Sequence, residues 1–249
     1  MTSAGDRYDQ IGCSYAQTRR EDPRIAEEIL DCLGAARRVL NVGAGTGSYE
    51  PPACEVTALE PSVQMIRQRG RGAAPTVRGV AEWLPFPDGS FDAALAVLTM
   101  HHWSDPVAGI REMQRVADRQ VVLYFESLKT HRFWGLEYFP EAVELDTEID
   151  TPGEALLRRL LRVLTVRPVL VPRDCRDGFG TAYWARPEAY LEPEVQAGMS
   201  WLALLAEPAR QSGTRRLRED LASGEWDRRY GHLRTQPTFD GGYRIAIAG

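Results

Sequence analysis

The sequence predicts an α/β fold in which helices cover both faces of a doubly wound, mostly parallel sheet of seven strands. Three observations carry this prediction: apolar runs of strand length, helical repeats between them, and a glycine-rich turn directly after the first run. Such runs suit strands buried on both faces, and their alternation with helices requires parallel, right-handed connections. The 249 residues, 43% of them hydrophobic, suffice for this domain and a helical cap.

The first helix is predicted ahead of the first strand. Asp22 followed by Pro23 is typical of an N-cap and a first helical residue. Apolar residues recur at helical spacing from Ile25 up to Gly34, which favours the end of a helix. We expect this helix to pack on the sheet.

The first strand, at 39–42, runs into glycines at positions 43, 45 and 47. Glycine lets the backbone approach a ligand where a Cβ would not fit. A dinucleotide-binding turn has its last glycine at the sixth position, which is Ser48 here, and continues into a phosphate-facing helix. Two prolines soon follow instead. The turn therefore suits a nucleoside whose tail is not a phosphate, and S-adenosylmethionine (SAM) fits that description.

A carboxylate follows at the end of the second predicted strand, 56–60. In doubly wound sheets an acidic residue at the position of Glu60 accepts hydrogen bonds from both ribose hydroxyls. A solvated charge at a strand end is the simpler alternative. The glycine turn and the acid together favour the nucleoside site.

Three stretches have an order and spacing that resemble a known family. They are 40–47 (Leu-Asn-Val-Gly-Ala-Gly-Thr-Gly), 59–66 (Leu-Glu-Pro-Ser-x-x-Met-Ile), and the run from Ala81 to Asp92 that continues to 101–103 (His-His-Trp). They resemble class I SAM-dependent methyltransferases of the methyltransferase 11 type. The resemblance covers roughly residues 8–126. It implies SAM as the cofactor and a last strand that enters the sheet antiparallel.

The resemblance also implies particular cofactor contacts. A Tyr-x-x-x-Arg segment lies over the cofactor in the family, and an arginine there can clamp the methionine carboxylate. The residue at position 65 packs against adenine, and main chain near position 98 accepts hydrogen bonds from the ammonium group. The implied cofactor-binding residues are Tyr15, Arg19, Asn41, Gly43, Ala44, Gly45, Glu60, Pro61, Met65, Ala81, Glu82 and Leu98. A solvated Arg19 and a core role for Met65 are the structural alternatives.

The adenine side departs from the family pattern. Many relatives carry an aspartate where this chain has Val80, and use it to accept the adenine amino group. Glu82 can replace it, or the Ala81 backbone and apolar walls can hold the base. This departure concerns the adenine contacts and leaves the fold prediction unchanged.

The remaining strands and helices follow in order. The carboxyl-end rule predicts that residues 98–103, after the fourth strand, line the cleft. Ser104, Asp105 and Pro106 favour a helix start. A capping box at 151–154, followed by leucines at helical spacing, predicts a later helix that opens there and runs through Leu164. A proline at 168 restricts the sixth strand to an edge or a start. The third to seventh strands are predicted at 75–77, 90–98, 120–126, 166–171 and 243–248.

These elements divide the chain into a core and a cap. Residues 1–126 form the SAM-binding core, and 127–165 form a cap segment with a helix. The stretches 166–171 and 243–248 are closing strands of the core, and 172–242 is an inserted helical region for the substrate. The aromatic residues of the cap segment and the inserted region either contact a flat or apolar substrate or form ordinary cap core; they include Trp134, Tyr138, Tyr183 and Trp184.

Composition excludes several classes of partner. The net charge of −5 gives no general attraction for nucleic acid. The four cysteines are far apart, so we expect reduced thiols and no metal site. No apolar run approaches the length of a membrane span, and the expected protein is soluble and cytoplasmic, a monomer or homodimer.

The expected activity is SAM-dependent methyl transfer to a small molecule, with bacterial secondary metabolism as the narrower expectation. A general base is needed only for a weakly acidic nucleophile, and no residue is singled out for that role. The candidates are His102, Tyr15, Tyr183, Asp177 and Glu126. A SAM-binding protein with non-methylating chemistry, such as a cyclase or a scaffold, is the first alternative. A nicotinamide dehydrogenase is disfavoured by Ser48.

Overall fold

Seven strands form one sheet in this computed structural model, which describes residues 19–126, 133–143, 153–161 and 164–249. The strands are β1 (Arg38–Val42), β2 (Glu55–Glu60), β3 (Thr76–Arg78), β4 (Phe91–Val97), β5 (Ala117–Phe125), β6 (Leu164–Pro172) and β7 (Thr238–Ala248). Their order is β3-β2-β1-β4-β5-β7-β6, and β7 runs antiparallel to both of its neighbours. The predicted seven-stranded, mostly parallel sheet is confirmed.

The strand order reverses between β1 and β4, which pair in parallel through Leu40 and Ala94. From β1 the chain moves outward to β2 and β3, and then returns to β4 on the other side of β1. Crossovers therefore leave β1 and β4 in opposite directions, and a crevice opens beyond their carboxyl ends. Ligands of doubly wound proteins bind at this point of the sheet.

Helices of the described residues lie before β1 and between later strands. The α-helices are α1 (Pro23–Leu33), α2 (Val63–Arg67), α3 (Pro106–Val116), α4 (Gly135–Tyr138), α5 (Glu154–Leu160), α6 (Pro193–Gly198), α7 (Ser200–Ala203), α8 (Glu207–Ser223) and α9 (Glu225–Tyr230). Short 3₁₀ turns occur at Met100–His102, Pro187–Leu191 and Gly231–Thr235. None of these helices is long and apolar enough to cross a membrane.

The starts of α1 and α3 follow the predicted capping. Asp22 is the N-cap of α1, and its Oδ1 accepts a hydrogen bond from the Arg24 N–H at 3.1 Å. Asp105 caps α3 by accepting from the Ala108 N–H at 3.0 Å. In both helices a proline occupies the first turn, where its missing N–H costs nothing.

The crossover from β1 to β2 contains no helix, as the prolines after the glycine turn predict. Tyr49 covers this part of the sheet instead, with its ring buried against α1 in the larger hydrophobic cluster. Its backbone φ of +64° is unusual for a residue with a side chain. The tight bend lets the ring turn back onto the sheet.

Two hydrophobic clusters cover the two faces of the sheet. One packs α3 and α5 against the β4 and β5 face through residues such as Ile110, Met113 and Leu157. The other joins α1 to the inserted region, so that Ile29 belongs to the same cluster as Trp184 and Trp226. The inserted helices thus share a core with the sheet.

Three predicted boundaries near the end of the chain differ from the structure. The helix expected to reach Leu164 ends at Leu160, and Leu164 is already the first residue of β6. Strand β7 begins at Thr238, five residues before its predicted start at position 243. A register shift between Val169 and Val171 lets the two strands stay paired over this extra length. The sixth strand lies at the sheet edge, which its proline requires.

Candidate functional site

A cavity of about 440 Å³ lies beyond the carboxyl ends of β1, β2 and β4, where the strand order reverses. This volume is in the range of small-molecule and cofactor sites. All the predicted cofactor-binding residues within the described ranges line it. They are Arg19, Asn41, Gly43, Ala44, Gly45, Glu60, Pro61, Met65, Ala81, Glu82 and Leu98. Tyr15 lies outside the described residues.

The glycine turn serves two different purposes. A Cβ on Gly43 would lie 2.1 Å from Thr99 Oγ1, so this glycine allows β1 and the loop after β4 to touch. A Cβ on Gly45 would meet no heavy atom within 4 Å, and Gly45 lines the cavity. The expectation that glycine leaves room for a ligand therefore applies to Gly45, whereas Gly43 leaves room for the protein itself.

The Glu60 carboxylate is fixed at the end of β2 by two backbone donors. Its Oε2 accepts from the Gly45 N–H at 2.8 Å, and its Oε1 accepts from the Ser62 N–H at 2.9 Å. The side chain is 6% exposed, and this burial raises the pKa of the Glu60 carboxyl. A carboxylate has about four lone-pair sites, so about two remain for hydroxyl donors from a ligand.

Asn41 presents an acceptor without a donor. Its Oδ1 is buried and has no hydrogen-bond partner in the described structure, and the residue lines the cavity. Its Nδ2 donates weakly to Glu50 Oε1 at 3.4 Å, and Glu50 in turn pairs with Arg69. A buried acceptor without a partner is costly, and a bound donor such as an ammonium group would satisfy it.

The adenine side predicted for the cavity is largely apolar. Met65 is buried in α2, and Ala81 is buried beside Val80, which stands where relatives carry an acid. Glu82 Oε1 accepts from the Ser104 N–H at 2.6 Å, the Ser104 hydroxyl at 2.8 Å and the Asp105 N–H at 3.1 Å. That oxygen therefore holds the turn before α3.

The loop after β4 forms the opposite wall, and Leu98, Thr99, His102 and Trp103 line the cavity there. Leu98 has a φ of +50°, a strained conformation of the kind found at ligand sites. The His101 ring packs against the His102 ring with centroids 3.6 Å apart. Burial, His102 and Arg19 hold the pKa of His101 well below its ordinary value, so His101 is neutral near pH 7.

Arg19 lines the cavity and forms an ion pair with Asp177 of the inserted region. Arg19 Nε donates to Oδ1 at 2.6 Å, and Tyr49 Oη donates to Oδ2 at 2.9 Å. These contacts join residues 158 and 128 positions apart in the chain. The first described residues, the glycine turn and the inserted region therefore meet at one carboxylate.

Two other candidate bases lie away from the cavity lining. Tyr183 packs edge-on against Tyr190 and under the Arg186 guanidinium, 4.5 Å from its ring centroid. Glu126 pairs with Arg244 at 3.1 Å. Of the candidate bases within the described residues, only His102 therefore lines the cavity.

The cap aromatics belong to the core. Trp134, Tyr138 and Trp184 are at most 3% exposed, and Trp134 packs edge-on against Trp226 with centroids 5.4 Å apart. This agrees with the ordinary-core interpretation of these side chains. Across the described ranges, no three His, Cys, Asp or Glu side chains group in a way that could hold a metal ion.

The sequence does not single out Tyr49, and it offers Asp177 only as a candidate base, whereas the structure pairs Asp177 with Arg19 and Tyr49. A tyrosine after a glycine turn has no distinctive pattern, and its φ of +64° cannot be read from residue type. Asp177 reaches the site only because the inserted region folds back over the sheet. Thr99 and Trp103 fall within the stretch that the carboxyl-end rule assigns to the cleft.

Comparison with known proteins agrees with this geometry. A family model described as a methyltransferase domain matches residues 40–125, from β1 to β5. An uncharacterised methyltransferase of Mycobacterium tuberculosis is 37% identical over 122 residues, which is 46% of this chain and 50% of that protein. The matches span about half the length of the first curated relatives.

Solved structures extend the similarity beyond the core. A protein assigned as a methyltransferase from an antibiotic biosynthesis pathway of Anabaena variabilis is 34% identical, with a TM-score of 0.83; the match covers 94% of this chain and 99% of that one. Phosphoethanolamine N-methyltransferase 2 of Haemonchus contortus shares the fold, with a TM-score of 0.59 at 13% identity, and covers all of this chain and 60% of that one. The chain belongs to the class I SAM-dependent methyltransferase family.

Proposed function

We propose that this chain binds SAM in the cavity at the switch point and transfers its methyl group to a small-molecule acceptor. The observation that carries the proposal is the buried Glu60 carboxylate, held 2.8 Å from the Gly45 N–H in the wall of a cavity of about 440 Å³. An acid fixed beside a glycine turn suits a ribose diol. Bound SAM supplies a methyl group on a sulfonium, which is already an electrophile.

The residues present fit this cofactor along its length. Glu60 would accept from the ribose hydroxyls, and Met65 and Ala81 would enclose the adenine. The unpartnered Asn41 Oδ1 would accept from the ammonium group, and Arg19 would face the carboxylate. The lining thus offers a group that complements each part of the molecule.

The chain's part in methyl transfer is alignment and exclusion of water. For an acceptor that must lose a proton, His102 is the candidate base with the best position, because it lines the cavity. Its neighbour His101 is held neutral by burial, so it adds no positive charge there. The narrower assignment to bacterial secondary metabolism is supported by the Anabaena variabilis relative, which is assigned to an antibiotic biosynthesis pathway.

Two measurements test the proposal. Isothermal titration calorimetry with SAM, S-adenosylhomocysteine and NAD should show binding of the first two; binding of NAD alone would favour a dehydrogenase. Mass spectrometry of reactions with candidate acceptors should then find a product heavier by one CH₂, together with S-adenosylhomocysteine. Turnover of an acceptor with SAM left unchanged would favour the non-methylating alternative and contradict methyl transfer.

A further inference from the structure

Asp177 is a buried carboxylate that lies behind the cavity wall and contacts residues of that wall. The residue is fully buried in the inserted region and lies against two residues that line the cavity, Arg19 and Tyr49. Arg19 donates through Nε to Oδ1 at 2.6 Å and through Nη2 to Oδ2 at 3.3 Å. Asp177 is not a lining residue itself. Any effect on a ligand therefore passes through its partners.

Tyr49 fixes the second oxygen of this carboxylate. Its hydroxyl donates to Asp177 Oδ2 at 2.9 Å and accepts from the Asp22 N–H at 3.2 Å. Burial and the charge of Asp177 hold the pKa of Tyr49 far above its ordinary value, so the hydroxyl stays a donor. The acceptor side of the same hydroxyl is already in use. An amide in place of the carboxylate would leave a donor of Arg19 or Tyr49 without its acceptor.

The paired carboxylate determines where the Arg19 guanidinium lies. Two of its five N–H groups point to Asp177, and this fork fixes the plane of the group. The Arg19 side chain is 11% exposed, so the pair is shielded from water and holds its geometry better than a surface pair. A planar guanidinium fixed in the wall of a cavity suits a carboxylate ligand.

We propose that Asp177 is a positioning residue, which orients Arg19 toward the carboxylate of the SAM amino-acid tail. This inference rests on the proposed use of SAM. A residue of the inserted region then controls how tightly the tail of the cofactor is held, although the nucleoside is bound by the core.

Comparison of two ligands by calorimetry on the full chain isolates this effect. S-adenosylhomocysteine carries the amino-acid tail, whereas 5′-methylthioadenosine has the same nucleoside and sulfur without it. We expect Asp177→Asn to raise the Kd of S-adenosylhomocysteine by about tenfold or more, and to leave the Kd of 5′-methylthioadenosine within about twofold. A general loss of structure would instead raise the Kd of both ligands.

Asp174→Asn is the matched control. Asp174 belongs to the same segment, but its side chain is 77% exposed and pairs with Arg24. We expect this variant to bind both ligands as the wild type does. In an Arg19→Gln background, Asp177→Asn should cause no further loss of S-adenosylhomocysteine affinity, since the group it positions is gone.

Equal changes for the two ligands, or no change in either, would contradict the positioning role. If Asp177→Asn does not fold, Asp177→Glu is the alternative variant, because it keeps the charge and displaces the guanidinium. It should also raise the Kd of S-adenosylhomocysteine selectively. A wild-type chain that binds neither ligand contradicts the proposed function and this inference with it. Normal wild-type binding beside an unaffected Asp177→Asn contradicts this inference alone.

Discussion

Gly43 and Gly45 differ in what a side chain would meet, although both have a positive φ, +70° and +51°. Alanine at either position carries the cost of a left-handed backbone, about 1–2 kcal/mol. Only at Gly43 would the new Cβ also lie 2.1 Å from Thr99 Oγ1 and 2.9 Å from Thr99 Cβ. The two glycines therefore protect different properties of the protein.

Alanine substitutions should separate these properties. We expect Gly43→Ala to lower the free energy of unfolding by about 1–3 kcal/mol more than Gly45→Ala, because the core must move to admit it. Urea unfolding of the ligand-free variants measures this difference. Gly45→Ala should instead reduce the free energy of S-adenosylhomocysteine binding by more than it reduces the free energy of unfolding. Equal stability of the two variants would contradict the contact with Thr99.

Glu60 should make cofactor binding depend on pH. Burial raises the pKa of its carboxyl above the ordinary value of 4.5. Hydroxyl donors from a bound ribose favour the charged form and lower that pKa again. Between the two pKa values, binding releases a proton, so the affinity for S-adenosylhomocysteine should fall as the pH is lowered from neutral toward the raised pKa of the free protein.

Calorimetry across this pH range tests the assignment. Glu60→Gln should bind more weakly than the wild type near neutral pH and lose most of the pH dependence. Glu55→Gln, at the exposed start of the same strand, should keep both the affinity and the slope. A wild-type slope that survives in Glu60→Gln would assign the titration to another group.

At this scale the sequence predicts a residue well when its role is local. Glu60 follows from its place at the end of a strand beside a glycine turn. Arg19 is implied by the family resemblance, but its partner Asp177 is not, because 158 positions separate them. No short pattern records such a contact, which depends on how the inserted region packs.

Among the elements, the turn that leads into α3 depends on one oxygen. Glu82 Oε1 accepts from two N–H groups and a hydroxyl of Ser104 and Asp105. Glu82→Ala removes this acceptor, and we expect a loss of about 1 kcal/mol in the free energy of unfolding, at the lower end because the site is half-exposed.

Glu82→Gln is the control, since its amide oxygen can take the same position. We expect its stability in urea unfolding to be closer to that of the wild type than to that of Glu82→Ala. If both variants are as stable as the wild type, the carboxylate has another main role, and adenine recognition becomes the better explanation.

Element boundaries were predicted where capping is local and missed where pairing is distant. Asp22 and Asp105 begin their helices as expected. Strand β7 starts earlier than predicted and includes Gly241, where a Cβ would lie 2.2 Å from Thr181 Oγ1, so the strand needs glycine to pass the inserted region. From sequence alone, paired glycines predict a turn.

For the whole molecule, the inserted region and the sheet should unfold together. Trp226 is fully buried in the cluster that also contains Ile29 of α1. We expect Trp226→Ala to lower the free energy of unfolding by about 3–5 kcal/mol. Fluorescence and circular dichroism should still follow one coincident transition, because the described residues of the inserted region share a hydrophobic cluster with the sheet.

Trp83→Ala provides the comparison for this substitution. Its side chain is 78% exposed, so its removal should change stability by about 0.5 kcal/mol or less. Two separate transitions in the wild type, or equal effects of the two substitutions, would show that the inserted region is an independent unit.

The overall architecture could be predicted because periodicity and strand order are properties of long stretches. The alternation of apolar runs and the glycine turn determine the class of fold and the position of the cleft. The shared core could not be predicted, since buried aromatics such as Trp134 and Trp184 would look the same in a cap with a core of its own.

The position of β6 has a consequence for the order in which the chain assembles. This strand lies at the sheet edge and attaches through β7, which follows only after the whole inserted region. The loop between them must close before any ladder between the two strands can form, and that closure is entropically unfavourable. During refolding β6 therefore waits for its later partner, and its docking should be among the last events on the path to the native state.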